Sequence, residues 1–205
     1  MAKKKQTLWS SSMKPEIING EEYIPTALHY GKELSFGNEA LHREEELICN
    51  KNFKVELGNF KPGIGQVQKD RVKFACDDDT ERSAFELTQD YINLMLEQLE
   101  SGLPKSGPTG HKIPAKIMVA EPLSFQVDSY DKDWLANYRG NLRRVLNRYE
   151  AVEFLPEPFA VYQYYRYGLR VPNLIEQSKH VALIIDFGGG TFDVCVIEST
   201  HEGDI

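Results

Sequence analysis

Apolar positions recur every second residue in some stretches of the chain and every third or fourth in others, and these switches mark its elements. From Pro15 to Phe36 the pattern is one of short strands and turns: Ile17-Ile18, a turn at Asn19-Gly20, a run from Tyr23 to Tyr30, and a second turn at Gly31-Lys32. Asn-Gly between apolar runs is a strong short-range hairpin signal. Asn38 to Cys49 reads as a short acidic helix, and Phe53 to Leu57 as an extended stretch ended by Gly58. Gly58, Pro62, Gly63 and Gly65 then predict a loop, and Val72 to Ala75 a further strand.

The clearest helix is "DDDTERSAFELTQDYINLMLEQLESG". Ser83 and Glu86 have capping-box spacing, Phe85, Ile92, Met95, Leu96 and Leu99 form its predicted apolar face, and Gly102 stands past its end. A connector rich in Pro, Gly and Ser follows, then a strand from Lys116 to Ala120. Asp131 to Tyr149 is the second long helix, with Trp134, Tyr138, Leu142, Val145, Leu146 and Tyr149 at helical spacing. Val152 to Leu155 reads as a strand, Pro158 marks a helix start, and Phe159 to Tyr167 carries that helix to Gly168. Val181 to Ile185 and Asp193 to Ile197 are strands on either side of three glycines. This β-α-β-α-β-β order predicts an α/β sheet packed by helices.

Composition narrows the function. A net charge of −7 argues against non-specific nucleic-acid binding, which needs Lys and Arg against phosphates. Lys3, Lys4 and Lys5 form a compact basic run that reads as a solvated tail, and residues 1–14 as a disordered one. Arg139, Arg143, Arg144 and Arg148 read as a wet helix face. Three widely spaced cysteines, Cys49, Cys76 and Cys195, give neither a zinc site nor a disulfide framework and suit a reducing, cytoplasmic setting. No apolar run approaches the roughly 18 residues of a membrane span.

The chemistry concentrates in "DFGGGTFD", residues 186–193. Gly188, Gly189 and Gly190 let backbone N–H groups converge on an anion without Cβ obstruction, and Thr191 adds a hydroxyl. Asp186 and Asp193 bracket the glycines, and carboxylates beside a phosphate cradle suggest a hydrated Mg²⁺. A strand rather than a helix follows, and GxxxxGK[ST] is absent, so the loop is not of the Walker type. A plain glycine-rich hairpin turn would need neither three glycines nor two flanking aspartates. Cys195, alternating with Val194 and Val196, reads as a packed strand residue, and the cluster Tyr162, Tyr164, Tyr165 and Tyr167 as core and packing.

"LIIDFGGGTFDVCVIE" resembles the second phosphate-binding hairpin of the 70-kilodalton heat-shock chaperones, in the actin-like and sugar-kinase ATPase superfamily. "EFLPEPFAVYQYYRYG" resembles that family's strand–Asn-Glu-Pro–helix segment, with Glu157-Pro158 on Glu-Pro and Pro156 in place of Asn. "YIPTALHYGKELSFGNEA" resembles its threonine-proline strand, glycine turn and short helix, and "NFKVELG" falls on its Lys-Arg-Leu-Ile-Gly segment. The resemblance spans most of residues 15–200 and is weak between 58 and 80.

The resemblance implies an actin-like ATPase (ribonuclease H-like) α/β fold: a first lobe over 15–178, its peripheral subdomain shortened at about 58–115, and the first hairpin of a second lobe over 179–205. It implies ATP or ADP and Mg²⁺ as ligands. Gly188, Gly189, Gly190 and Thr191 would contact phosphate, and Asp186 and Asp193 would organise Mg²⁺ through water. Lys54 would take the catalytic lysine's place, positioning the attacking water and stabilising charge on the transferring phosphoryl. Glu157 would sit near the metal's waters and sense the nucleotide state, so Lys54, Glu157 and Asp186 are the expected catalytic residues. Taken alone, Lys54 reads as a solvated strand lysine and Glu157 as a carboxylate favourable to a helix start.

The family's first phosphate hairpin has no counterpart in "MAKKKQTLWSSSMKPEII". Its adenosine-binding segment and peptide-binding domain would lie beyond residue 205. The expectation is therefore a nucleotide-binding fragment that binds ATP weakly or not at all. In complete form it would couple ATP hydrolysis to protein folding or remodelling, with co-chaperones and unfolded clients as partners and neither nucleic acid nor membrane. Two other readings stand beside it: a non-catalytic interaction module that keeps the fold, and an actin-like filament former or sugar kinase.

Overall fold

The Asn19-Gly20 turn forms as its sequence predicts, with φ of 53° and 84°, the two left-handed positions of a type I′ turn. Ile18 and Glu21 close it with reciprocal backbone hydrogen bonds of 3.0 Å. The computed structural model describes residues 17–21, 23–42, 48–59, 61, 72–102, 116–123, 132–164, 179–187 and 192–200. The chain divides into two compact units, a larger one of Glu16–Met118 with Ser124–Glu153 and a smaller one of Met1–Pro15, Val119–Leu123 and Phe154–Ile205.

In the larger unit β1 (Ala27–Tyr30) is the middle strand of an antiparallel sheet, between β2 (Leu34–Phe36) and β3 (Cys49–Lys51). The predicted run from Tyr23 condenses to the four residues of β1, all buried. The Gly31 turn joins β1 to β2. Helix α1 (Asn38–His42) packs on β1 and β2, and Cys49, expected at the end of this helix, lies in β3, while residues 43–47 fall outside the described ones. Side chains alternate across the sheet, so Leu28, Tyr30 and Phe36 enter the core from one face while His29 and Ser35, cross-strand partners, are buried on the other.

Residues 53–57 form a helix, α2 (Phe53–Leu57), where an extended stretch was expected. The apolar positions Phe53, Val55 and Leu57 fit a strand equally well by spacing, but Phe53 and Leu57 also stand at i, i+4. Burying both on one side settles the matter: each is 1% exposed, at roughly 1.5–3 kcal/mol per side chain. Asn52, left-handed at φ 60°, turns the chain from β3 into this helix.

Strands β4 (Lys73–Ala75) and β5 (Glu81–Ser83) form a hairpin that takes up residues 77–83, expected to lead into the long helix. Asp78 is the reason: its carboxylate accepts from the Thr80 N–H at 3.2 Å, the Thr80 hydroxyl at 2.6 Å, and both ends of the Arg82 guanidinium. These contacts, above all Arg82, hold the Asp78 carboxyl well below the usual carboxylate range. Helix α3 (Ala84–Gly102) then starts on the predicted capping box: Ser83 N–H and hydroxyl donate to Glu86 at 2.8 Å, and Glu86 N–H donates to Ser83 Oγ at 3.3 Å. Gly102 falls inside its last turn.

Of the predicted apolar face of α3, Leu96 is buried and Met95 and Leu99 pack against the core. Ala84 and Leu87 are buried in the core with Tyr91, Leu94, Met95 and Leu99 against it, whereas Phe85 lies under the Arg144 guanidinium at 4.3 Å. Tyr91 fixes the register through edge-to-face contacts with Phe36 and Phe53. Helix α4 (Trp134–Val145) ends four residues short of the predicted Tyr149, and the predicted apolar positions are all buried, Leu146 and Tyr149 beyond the helix end.

Strand β6 (Lys116–Glu121) pairs with β7 (Ala151–Pro156), and the later residues of both belong to the smaller unit. There α5 (Glu157–Gln163) packs on a long hairpin of β8 (Lys179–Phe187) and β9 (Phe192–Thr200). Nine residue pairs run in register from Phe187 and Phe192 to Lys179 and Thr200. Among the described residues no helix is long and apolar enough to cross a membrane.

Candidate functional site

The hairpin brings two of the predicted residues together. Asp186 near the end of β8 and Asp193 near the start of β9 are cross-strand partners, one pair in from the turn. In an antiparallel pair such partners project from the same face with Cβ atoms about 4.5–5.5 Å apart. The turn between them, Gly188, Gly189, Gly190 and Thr191, lies outside the described residues. Asp is a residue type that Mg²⁺, which keeps most of its waters, takes as an oxygen ligand, and here two aspartates stand in register. They are too few for a closed cage. Among the described residues no group of three or more His, Cys, Asp or Glu is placed to hold a metal ion.

Alternation sorts the rest of the hairpin. Ala182, Ile184, Asp186, Cys195 and Ile197 share one half-buried face. Cys195 is thus a packed strand residue, opposite Ile184, and is not disulfide-bonded. The other face carries Val181, Leu183, Ile185, Val194 and Val196, 48% to 66% exposed.

Glu157 begins α5, directly after β7, and is half-buried. The Pro156 φ of −55° and ψ of 132° makes the corner, and buried Pro158 fills a first-turn position that needs no N–H donor. Glu157, Asp186 and Asp193 therefore belong to one unit, with the helix that Glu157 opens resting on the hairpin that carries both aspartates. Tyr162 is buried and Tyr164 exposed, while Tyr165 and Tyr167 fall outside the described residues.

Lys54 belongs to the larger unit. It is half-buried in the first turn of α2, correcting its expected place on an extended stretch. Three donors from one side of α4 hold that short helix. Trp134 Nε1 donates to the Val55 carbonyl at 2.8 Å, Asn141 Nδ2 to Leu57 at 2.9 Å, and Asn137 Nδ2 to Gly58 at 3.1 Å. These are carbonyls at a helix C-terminus, the groups an isolated helix leaves without partners.

Sequence reasoning missed three polar features. Asn137 and Asn141 sit within the apolar pattern of α4 but are buried as donors to α2. Glu121, 2% exposed at the end of β6, is a buried carboxylate in the unit that holds Glu157 and Asp186. Its one sequence signal is the dipeptide Glu121-Pro122, which repeats Glu157-Pro158 at the end of the neighbouring strand. His29, 1% exposed, directs Nδ1 to the Ile48 carbonyl and the Asp77 carboxylate, both at 3.2 Å.

No protein-family model matches the chain, and no curated protein is similar to it at a significant level.

Proposed function

We propose that the chain is a nucleotide-binding segment of a chaperone-type ATPase, with the β8–β9 turn as its phosphate cradle. The observation that carries this reading is the in-register pairing of Asp186 with Asp193 at the base of the glycine turn. In it, the N–H groups of Gly188, Gly189 and Gly190 and the Thr191 hydroxyl take the β- and γ-phosphates of ATP. Asp186 and Asp193 hold the waters of Mg²⁺, and Glu157, opening the helix that rests on the hairpin, faces the same task. Mg²⁺, when bound, offsets charge on the phosphate oxygens. Lys54, the lysine that the resemblance singles out, belongs to the larger unit, where donors from α4 anchor the helix that carries it.

The wording of 182–197, together with Glu157-Pro158, favours the 70-kilodalton heat-shock branch of the actin-like superfamily, and with it unfolded clients and co-chaperones as partners of the complete form. A hairpin with one face half-buried and the other exposed is what this reading expects of the first two strands of a sheet that takes helices on both faces. Equilibrium dialysis with labelled ATP tests the proposal. Binding weaker than micromolar, dependent on Mg²⁺ and reduced in Asp186→Asn, supports it; binding indifferent to both Mg²⁺ and Asp186 contradicts it.

The second reading, a non-catalytic interaction module, draws on the exposed aliphatic face of the hairpin. It predicts no Mg²⁺-dependent nucleotide binding at all.

A further inference from the structure

We draw no further inference here: the strongest candidate, the exposed aliphatic face of the β8–β9 hairpin formed by Val181, Leu183, Ile185, Val194 and Val196, carries none, because nothing in the structure shows what covers it.

Discussion

The indole of Trp134 lies over the Cα of Gly58, so that a side chain at position 58 would overlap the ring. The same indole donates to the Val55 carbonyl, which ties the contact to the helix that carries Lys54. Gly58 has an ordinary helical φ of −73°, so glycine is required here for space and not for backbone freedom. Gly58→Ala is expected to destabilise the larger unit by about 1–3 kcal/mol, the range for forcing atoms into a packed interior. Urea unfolding followed by tryptophan fluorescence reads it directly.

Asn141 is 0% exposed and its amide satisfies the Leu57 carbonyl. Asn141→Leu keeps the volume and removes the donor, leaving a buried carbonyl bare at a cost of about 1–3 kcal/mol. Hydrogen exchange on α2 amides should rise along with the loss of stability. Unchanged exchange there would show that α4 does not hold the helix.

Tyr30 and Tyr91 give the larger unit an alkaline limit. Burial, reinforced for Tyr30 by a 2.7 Å hydrogen bond to the Asp90 carboxylate, raises both phenols above their ordinary value of 10.0. A folded-state pKa above the unfolded one means stability that is complete below pH 10 and declines as pH rises beyond it. Tyr30→Phe should flatten that decline, while losing about 1 kcal/mol at neutral pH with the Asp90 hydrogen bond. Unfolding curves at a series of pH values from neutral to strongly alkaline measure both effects.

Much of the architecture was legible in the sequence where local chemistry and tertiary demand agree. Ser83 and Glu86 announce the start of α3 because the capping box satisfies its own donors, whatever packs later. The α4 stripe of Trp134, Tyr138, Leu142 and Val145 is read correctly because one helix face meets one core. Residues 53–57 were not legible as a helix: apolar side chains at 53, 55 and 57 satisfy both periods, and only the burial of Phe53 with Leu57 decides. β5 carries Glu81, Arg82 and Ser83, with no apolar alternation to betray a strand that exists through Asp78 and its Arg82 partner. Asn137, Asn141 and Glu121 were invisible because a polar residue is read as exposed until its partner is known. In the site itself the paired aspartates follow from hairpin symmetry, while the helical setting of Lys54 required the structure.

The central claim is that residues 186–193 form a phosphate and magnesium site. Site-resolved NMR titration with ATP, with and without Mg²⁺, tests it most directly. The account predicts shifts concentrated on Gly188, Gly189, Gly190 and Thr191, at affinities on the order of millimolar, that require Mg²⁺ and disappear in Asp186→Asn. Shifts that avoid this loop, or that persist unchanged without Mg²⁺ and in Asp186→Asn, would contradict it.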